Sequence, residues 1–208
     1  MDRILEPELL DALPSLSPEA VRSRRDLRRL NWLLRTEAWS LKQLFREISD
    51  CDTVIELGAG EGVLLESVHR RHPLMRCIGY DFVPRPTGLS DQIEWVSGDF
   101  MERFSEMPLG SKTVVLANLI LHHFDSPTLA RIGAALSGVR CFLAVEPDRS
   151  KFALQLGRSM LPFVSEVTRF DMMVSIRAGF QEGELGDLLG MSCLEESTWL
   201  GGRRLRLQ

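Results

Sequence analysis

The stretch Thr53-Val54-Ile55-Glu56-Leu57-Gly58-Ala59-Gly60-Glu61-Gly62 constrains this chain more than any other. Val54, Ile55 and Leu57 make a short apolar run of strand length. Val63, Leu64, Leu65 and Val68 follow it at helical spacing. Between the two stand Gly58, Gly60 and Gly62. Glycine accepts backbone conformations with positive φ and lets a ligand approach bare main chain. A strand, a glycine turn and a helix start in succession aim amide N–H groups and the positive end of the helix dipole at one point. In an open α/β sheet that point lies at the carboxyl ends of the strands, where ligands bind.

The spacing narrows the ligand. A dinucleotide-binding turn reads G-x-G-x-x-G, and its last glycine would fall at Val63. No G-x-x-x-x-G-K-[ST] run is present, so a P-loop nucleotide site is not supported. What stands here is E-x-G-x-G-x-G, with Glu56 inside the strand. A carboxylate there suits a cationic group better than a pyrophosphate. This pattern resembles the first motif of the class I S-adenosylmethionine-dependent methyltransferases, in particular their small-molecule bacterial branch. Their cofactor carries an amino group and a sulfonium and no phosphate. The resemblance implies that Glu56, Gly58, Ala59, Gly60 and Gly62 contact it.

Later segments continue the pattern, each at the end of an expected strand. Arg76 to Tyr80 reads as a second strand ending in Asp81-Phe82. An acid in that place accepts hydrogen bonds from two ribose hydroxyls, and Phe82 adjoins it. Ile93 to Val96 reads as a third strand. The Gly98-Asp99-Phe100 that follows resembles the family's adenine-binding motif, in which the acid accepts from the exocyclic amine and the next residue covers the ring. Thr113 to Ala117 is a fourth strand, and Asn118 to Phe124 resembles the leucine-rich fourth motif ending in His-His. Backbone at Asn118 and Leu119 would border the methionine part of the cofactor. His122 and His123 invite a proton-transfer role, because imidazole titrates near pH ~6.5. Cys141 to Val145 is a fifth strand, and Glu146 emerges at the same sheet edge. His123, His122 and Glu146 are therefore the candidate catalytic residues. Two adjacent histidines without other ligands at metal spacing predict no metal site.

The N-terminal third reads as helical. Ser17-Pro18 has the form of an N-cap followed by proline at the first helical position. Leu27, Leu30, Leu34, Leu41, Leu44 and Ile48 recur at helical steps, with a break expected near Thr36. Arginines crowd the span from Arg22 to Arg35, and their pattern without aromatic interleaving reads as a solvated face. Asn31-Trp32 resembles an N-terminal segment of small bacterial methyltransferases, and Trp32 is expected in the core. Residues 101–110 read as a passage from helix to loop. Ser126-Pro127 opens a helix to about Gly138. The apolar residues of 150–180 suit a core or a substrate lid. Phe180 to Leu189 reads as a helix ended by Gly190. Met191 to Leu200 and Arg203 to Leu207 form an antiparallel pair through Gly201-Gly202.

The expectation is thus an α/β fold: a Rossmann-like, doubly wound sheet of seven strands with the last antiparallel. Residues 1–48 form a helical extension or lid, and 49–208 the methyltransferase domain. The resemblance implies methyl transfer from S-adenosylmethionine, leaving S-adenosylhomocysteine, to an oxygen, nitrogen or carbon of a small molecule. RNA or protein methylation, cofactor binding without turnover, and a nicotinamide-dependent oxidoreductase are the alternatives. The net charge of −4 argues against a protein-wide nucleic-acid footprint. Four scattered cysteines, no apolar run of spanning length and no signal-like start predict a cytoplasmic protein, monomer or homodimer.

Overall fold

The computed structural model describes residues 1–14 and 16–208. Seven strands form one sheet: β1 (Thr53–Leu57), β2 (Arg76–Asp81), β3 (Ile93–Ser97), β4 (Thr113–Asn118), β5 (Cys141–Pro147), β6 (Cys193–Trp199) and β7 (Gly202–Leu207). Their order is β3-β2-β1-β4-β5-β7-β6. The first five are parallel, with Leu57 beside both Tyr80 and Ala117. β7 runs antiparallel to β6, as the Gly201-Gly202 connection requires, and also to β5. The expected seven-stranded, doubly wound architecture is therefore the observed one.

Period-two alternation builds two apolar layers from the same strands. On one face Ile55, Leu57, Val115, Ala117, Phe142 and Ala144 pack against α5 (Ser126–Leu136), through Leu129, Ile132 and Leu136, and against α8 (Glu184–Leu189). On the other face Val54, Val114, Leu116, Leu143 and Val145 meet α3 (Thr36–Glu47) and α4 (Val63–Arg71). Glu56 alternates onto this second face, toward α3. Strands buried on both faces read as continuous apolar runs, which is why β1, β4 and β5 are legible from sequence.

The helical N-terminus breaks where expected. Ser17 accepts a hydrogen bond from the Ala20 amide and starts α2 (Pro18–Leu33); Arg35, at φ 51°, then turns the chain into α3. α2 does not bury its leucine stripe. Its buried residues are Ala20, Ser23 and Asp26. They face α7 (Glu166–Ala178), where Asp26 accepts from the Ser165 amide at 2.8 Å and Thr168 donates to Ser23. Small side chains and a buried acid thus replace leucine at the helix–helix contact. The opposite face is left to solvent, and Trp32, expected in the core, is 80% exposed.

β2 and β3 are joined by a loop without a helix, as Pro84-Arg85-Pro86-Thr87-Gly88 leads one to expect. The next connection differs from expectation. Residues 101–110 hold only the single-turn 3₁₀ segments Phe100–Glu102 and Phe104–Glu106. Pro108 and Gly110 end any helix there before it gains a second turn. The 150–180 region is helical, with α6 (Lys151–Met160) ahead of α7. It divides between the two expected roles: Val167, Val174 and Ile176 are core, while Phe152 and Phe163 are exposed.

α5 and α8 pack closely at Gly133. A Cβ there would lie 1.8 Å from the Leu189 carbonyl oxygen. Gly133→Ala must push the two helices apart and is expected to cost at least ~1–3 kcal/mol, read as a lower urea midpoint. Gly138→Ala, with open space around it, should change stability by less than about 0.5 kcal/mol.

Candidate functional site

The strand order reverses between β1 and β4, so the loops leaving these neighbours part and open a crevice at their carboxyl ends. The residues expected to hold a cofactor converge on it. Gly58, Gly60 and Gly62 all have positive φ, and Gly62 caps α4. A Cβ on Gly58 would meet Ile120 at 2.9 Å, whereas one on Gly60 would find nothing within 4 Å. Gly60 is therefore the glycine that a ligand can approach.

The amides of this turn are largely spoken for. Those of Gly58 and Ala59 donate to the Tyr80 carbonyl at 2.9 and 3.1 Å. The Gly60 amide donates to Asp81 Oδ2 at 2.6 Å, and Asp81 Oδ1 accepts from Val83. A pyrophosphate would find few donors here and two carboxylates, which disfavours the dinucleotide alternative. Asp81 stands at the end of β2 beside the turn and is half-buried. Phe82 next to it is exposed.

Glu56 is 5% exposed, and its burial pushes its carboxyl from the ordinary 4.5 up to about 8. The Asn118 amide donates to Oε1 at 3.3 Å and opposes the shift, while the charges of Asp81 and Glu37 add to it. Oε2 has no partner. Asn118 in turn accepts from Ser40 of α3, so β1, β4 and α3 are tied together at the crevice. Asn31 Oδ1 and Thr36 Oγ1, at the end of α2 and the start of α3, are also buried without partners. The sequence offered no signal for Ser40, which reaches the site only through the packing of α3. Arg28 of α2 reaches the turn itself, pairing with Glu61 at 2.7 Å.

The adenine-side residues are arranged differently from expectation. Asp99 Oδ1 accepts from the Met101 amide at 2.8 Å and caps a 3₁₀ turn. The Phe100 ring does not cover the crevice. It is buried between Phe104 and Phe124, edge-on to both. An aromatic ring next to the apolar underside of the sheet gains more by burial there than at a polar rim.

Beyond β4 the chain is held by one carboxylate. Glu146, 0% exposed, accepts from the amides of Ile120, Leu121 and His122 at 3.0, 2.8 and 3.2 Å, and from His122 Nδ1 at 2.7 Å. It has no face for a substrate, so its placement is that of a loop-holding residue and not a catalytic one. The loop it holds includes Leu119, at φ 56°, a left-handed conformation that a leucine adopts only under constraint. His122 is likewise buried. Its Nε2 faces Glu8 at 3.3 Å. Burial disfavours charge on this ring, but its hydrogen bonds to Glu146 and Glu8 outweigh that and raise it to about 9. His123 lies half-open beside it, ring centroids 4.3 Å apart, with Asp11 3.8 Å from its Nδ1. Burial and the neighbouring imidazolium hold His123 below the usual histidine range.

Glu8 and Asp11 belong to an N-terminal strap that sequence reasoning did not connect to the site. Arg3 donates to the carbonyls of Ala178, His122 and Phe124 and lies over the Phe180 ring. The amides of Leu9 and Leu10, opening the single-turn α1 (Leu9–Ala12), donate to Asp171 of α7. Strap, α7 and the His122-His123 loop enclose a cavity of about 400 Å³ lined by Leu5, Glu8, Asp11, His122, His123 and Val174. No helix among the described residues is long and apolar enough to cross a membrane.

No protein-family model matches the chain, and no curated protein sequence matches it. Solved structures do. Plantazolicin methyltransferase BpumL, in complex with a pentazolic desmethylPZN analog and SAH, superposes with a TM-score of 0.71 at 13% identity, covering 92% of this chain and 91% of that one. The pyocyanin biosynthetic protein PhzM gives 0.60 at 16% identity over 97% of this chain and 61% of that one. An O-methyltransferase family protein from Burkholderia thailandensis gives 0.54 at 18%, over 94% and 63%. The likeness establishes the fold: this chain has the Rossmann-like fold of class I methyltransferases.

The Glu56 shift has a sign that can be read. Its carboxyl is raised in the folded state, so the native protein binds more protons than the unfolded chain between pH 4.5 and about 8. Stability from this group is lost as pH rises through that window. Glu56→Gln should match the wild type near pH 4.5 and melt about 2–8 °C higher at pH 8.5 in the absence of ligand, followed by thermal denaturation.

Proposed function

We propose that this protein is an S-adenosylmethionine-dependent methyltransferase acting on a small molecule. The observation that carries the reading is the unpartnered buried oxygen of Glu56 beside an open glycine turn. A buried carboxylate with one free oxygen is an acceptor waiting for a donor, and an ammonium meets that need while restoring the ionised form. The cofactor's methionine end supplies such a group. Asp81 would take the ribose hydroxyls, exchanging its bond to the Gly60 amide or sharing it. Asn118 and Leu119 would border the methionine portion, and the backbone after Asp99 the adenine. Several of the structures that share the fold were solved with SAH, which supports this choice of ligand.

The sulfonium is already an activated methyl donor, so the protein's work is to hold donor and acceptor in line. The acceptor is placed in the cavity between strap and α7. His122 and Glu146 act as positioning residues there, because they fix the loop that separates the two halves of the site. Of the three candidates read from sequence, His122 and His123 line this cavity and Glu146 does not; His123 is the more open of the two histidines.

Thermal melting with SAH tests the cofactor. At 100 times the dissociation constant, binding stabilises by about 2.7 kcal/mol. For a chain of this length that is a rise of roughly 5–10 °C. The rise should be absent with NAD and lost in Asp81→Ala. Gly60→Ala should cost ~1–2 kcal/mol for its left-handed backbone and abolish most of the SAH-induced rise, because the new methyl occupies the approach to the turn. A rise with NAD alone would overturn the reading.

A further inference from the structure

The cluster around His122 has a shape that methyl transfer alone does not call for. Glu8, His122 and His123 each present a ligand atom, a carboxylate oxygen or a ring nitrogen, and all three lie within 4.8 Å of one another. His122 Nε2 and Glu8 Oε1 are 3.3 Å apart. Two ligands held at ~2.0 Å from a tetrahedral zinc ion are separated by about the same distance. Each imidazole also has a carboxylate at its Nδ1 side: Glu146 at 2.7 Å from that of His122, and Asp11 at 3.8 Å from that of His123. A carboxylate behind the imidazole is the usual outer support of a metal-bound histidine, since it sets the ring's orientation and raises its basicity. Sequence spacing could not show this cluster, because its third ligand atom comes from Glu8 of the N-terminal strap, which the fold lays against a loop more than a hundred residues away.

We propose that Glu8, His122 and His123 form a binding site for a divalent transition-metal ion of the zinc class, supported by Glu146 and Asp11. The ion takes the place of the proton that His122 Nε2 shares with Glu8, and that proton is released to solvent. Imidazole nitrogen and carboxylate oxygen select zinc, cobalt or iron over magnesium or calcium. Three protein ligands leave a coordination position open. It faces the cavity, where a water molecule or an oxygen or nitrogen of an acceptor can fill it. The ion would also pin the strap to the loop after β4, closing the cavity on that side. This inference does not rest on the methyltransferase reading, since metal binding can be measured with no cofactor or acceptor present.

Cobalt(II) gives the direct test. The full chain, stripped with a chelator, is titrated with Co²⁺ alone, and its visible d–d absorption is followed. The expected result is one equivalent bound per chain, with a band characteristic of low coordination number, displaced by Zn²⁺. Glu8→Gln, which keeps the side chain's shape, and His123→Ala should each lose the band while their melting curves remain cooperative. Asp11→Asn should keep it with ~10–100-fold weaker affinity. The absence of a band in the wild type overturns the proposal. So does a band that survives both Glu8→Gln and His123→Ala. A band lost only in His69→Ala would place the ion at the end of α4 and overturn it equally.

Discussion

Four hydrogen bonds to one buried carboxylate organise the functional half of this molecule. Glu146 sits at the end of β5, without solvent contact, and gathers three consecutive amides and an imidazole from the loop after β4. A buried carboxyl group is tolerated only when its oxygens are hydrogen-bonded, and both oxygens of this one are. The consequence runs outward. The loop cannot relax, so Leu119 is kept in a left-handed conformation and Asn118 is kept beside Glu56. On the far side His122 is kept charged, and it attracts Glu8 and with it the N-terminal strap. Removing the carboxylate would leave three amides and an imidazole ring without their acceptor.

The two walls of the site have opposite electrostatic characters. Around Glu56 a carboxyl is pushed toward neutrality because burial finds no cation to offset it. Around His122 burial is outweighed by two acids and the ring stays charged. The first is incomplete and gains by taking up a cation. The second is balanced among protein groups. Both states follow from the same low-dielectric setting, and the difference lies in which partners the chain brings within reach.

The fold was largely legible in the sequence, for identifiable reasons. Parallel strands covered on both faces must be apolar throughout, so Val54 to Leu57, Thr113 to Ala117 and Cys141 to Val145 stand out as short apolar runs. The turns between them carry Gly58, Gly60, Gly62 and Gly201-Gly202, whose backbone demands are local. Trp32 was misread because an apolar side chain at helical spacing says which face is greasy and nothing about whether a neighbour covers it. α2 meets α7 through Ala20, Ser23 and Asp26, so its leucines lie at the margin. Phe100 was placed over a ligand by motif, whereas the adjacent Phe104 and Phe124 offered it a better-packed position inside.

The sequence by itself determined where the glycine turn lies, which carboxylates stand at strand ends, and that the sheet is wound on both sides. These features depend on residues close together along the chain, where periodicity, glycine and spacing carry the information. Only the tertiary structure decided what those carboxylates do. Glu146 and Glu56 are both acids in apolar strands. One is satisfied by a loop, and the other keeps an oxygen free. The partners of His122 include Glu8, more than a hundred residues distant, and the neighbours of Asn118 include Ser40 of a helix from the N-terminal third. Burial and pairing of a charged group are set by contacts between remote segments, and no local pattern records which segments the fold will bring together.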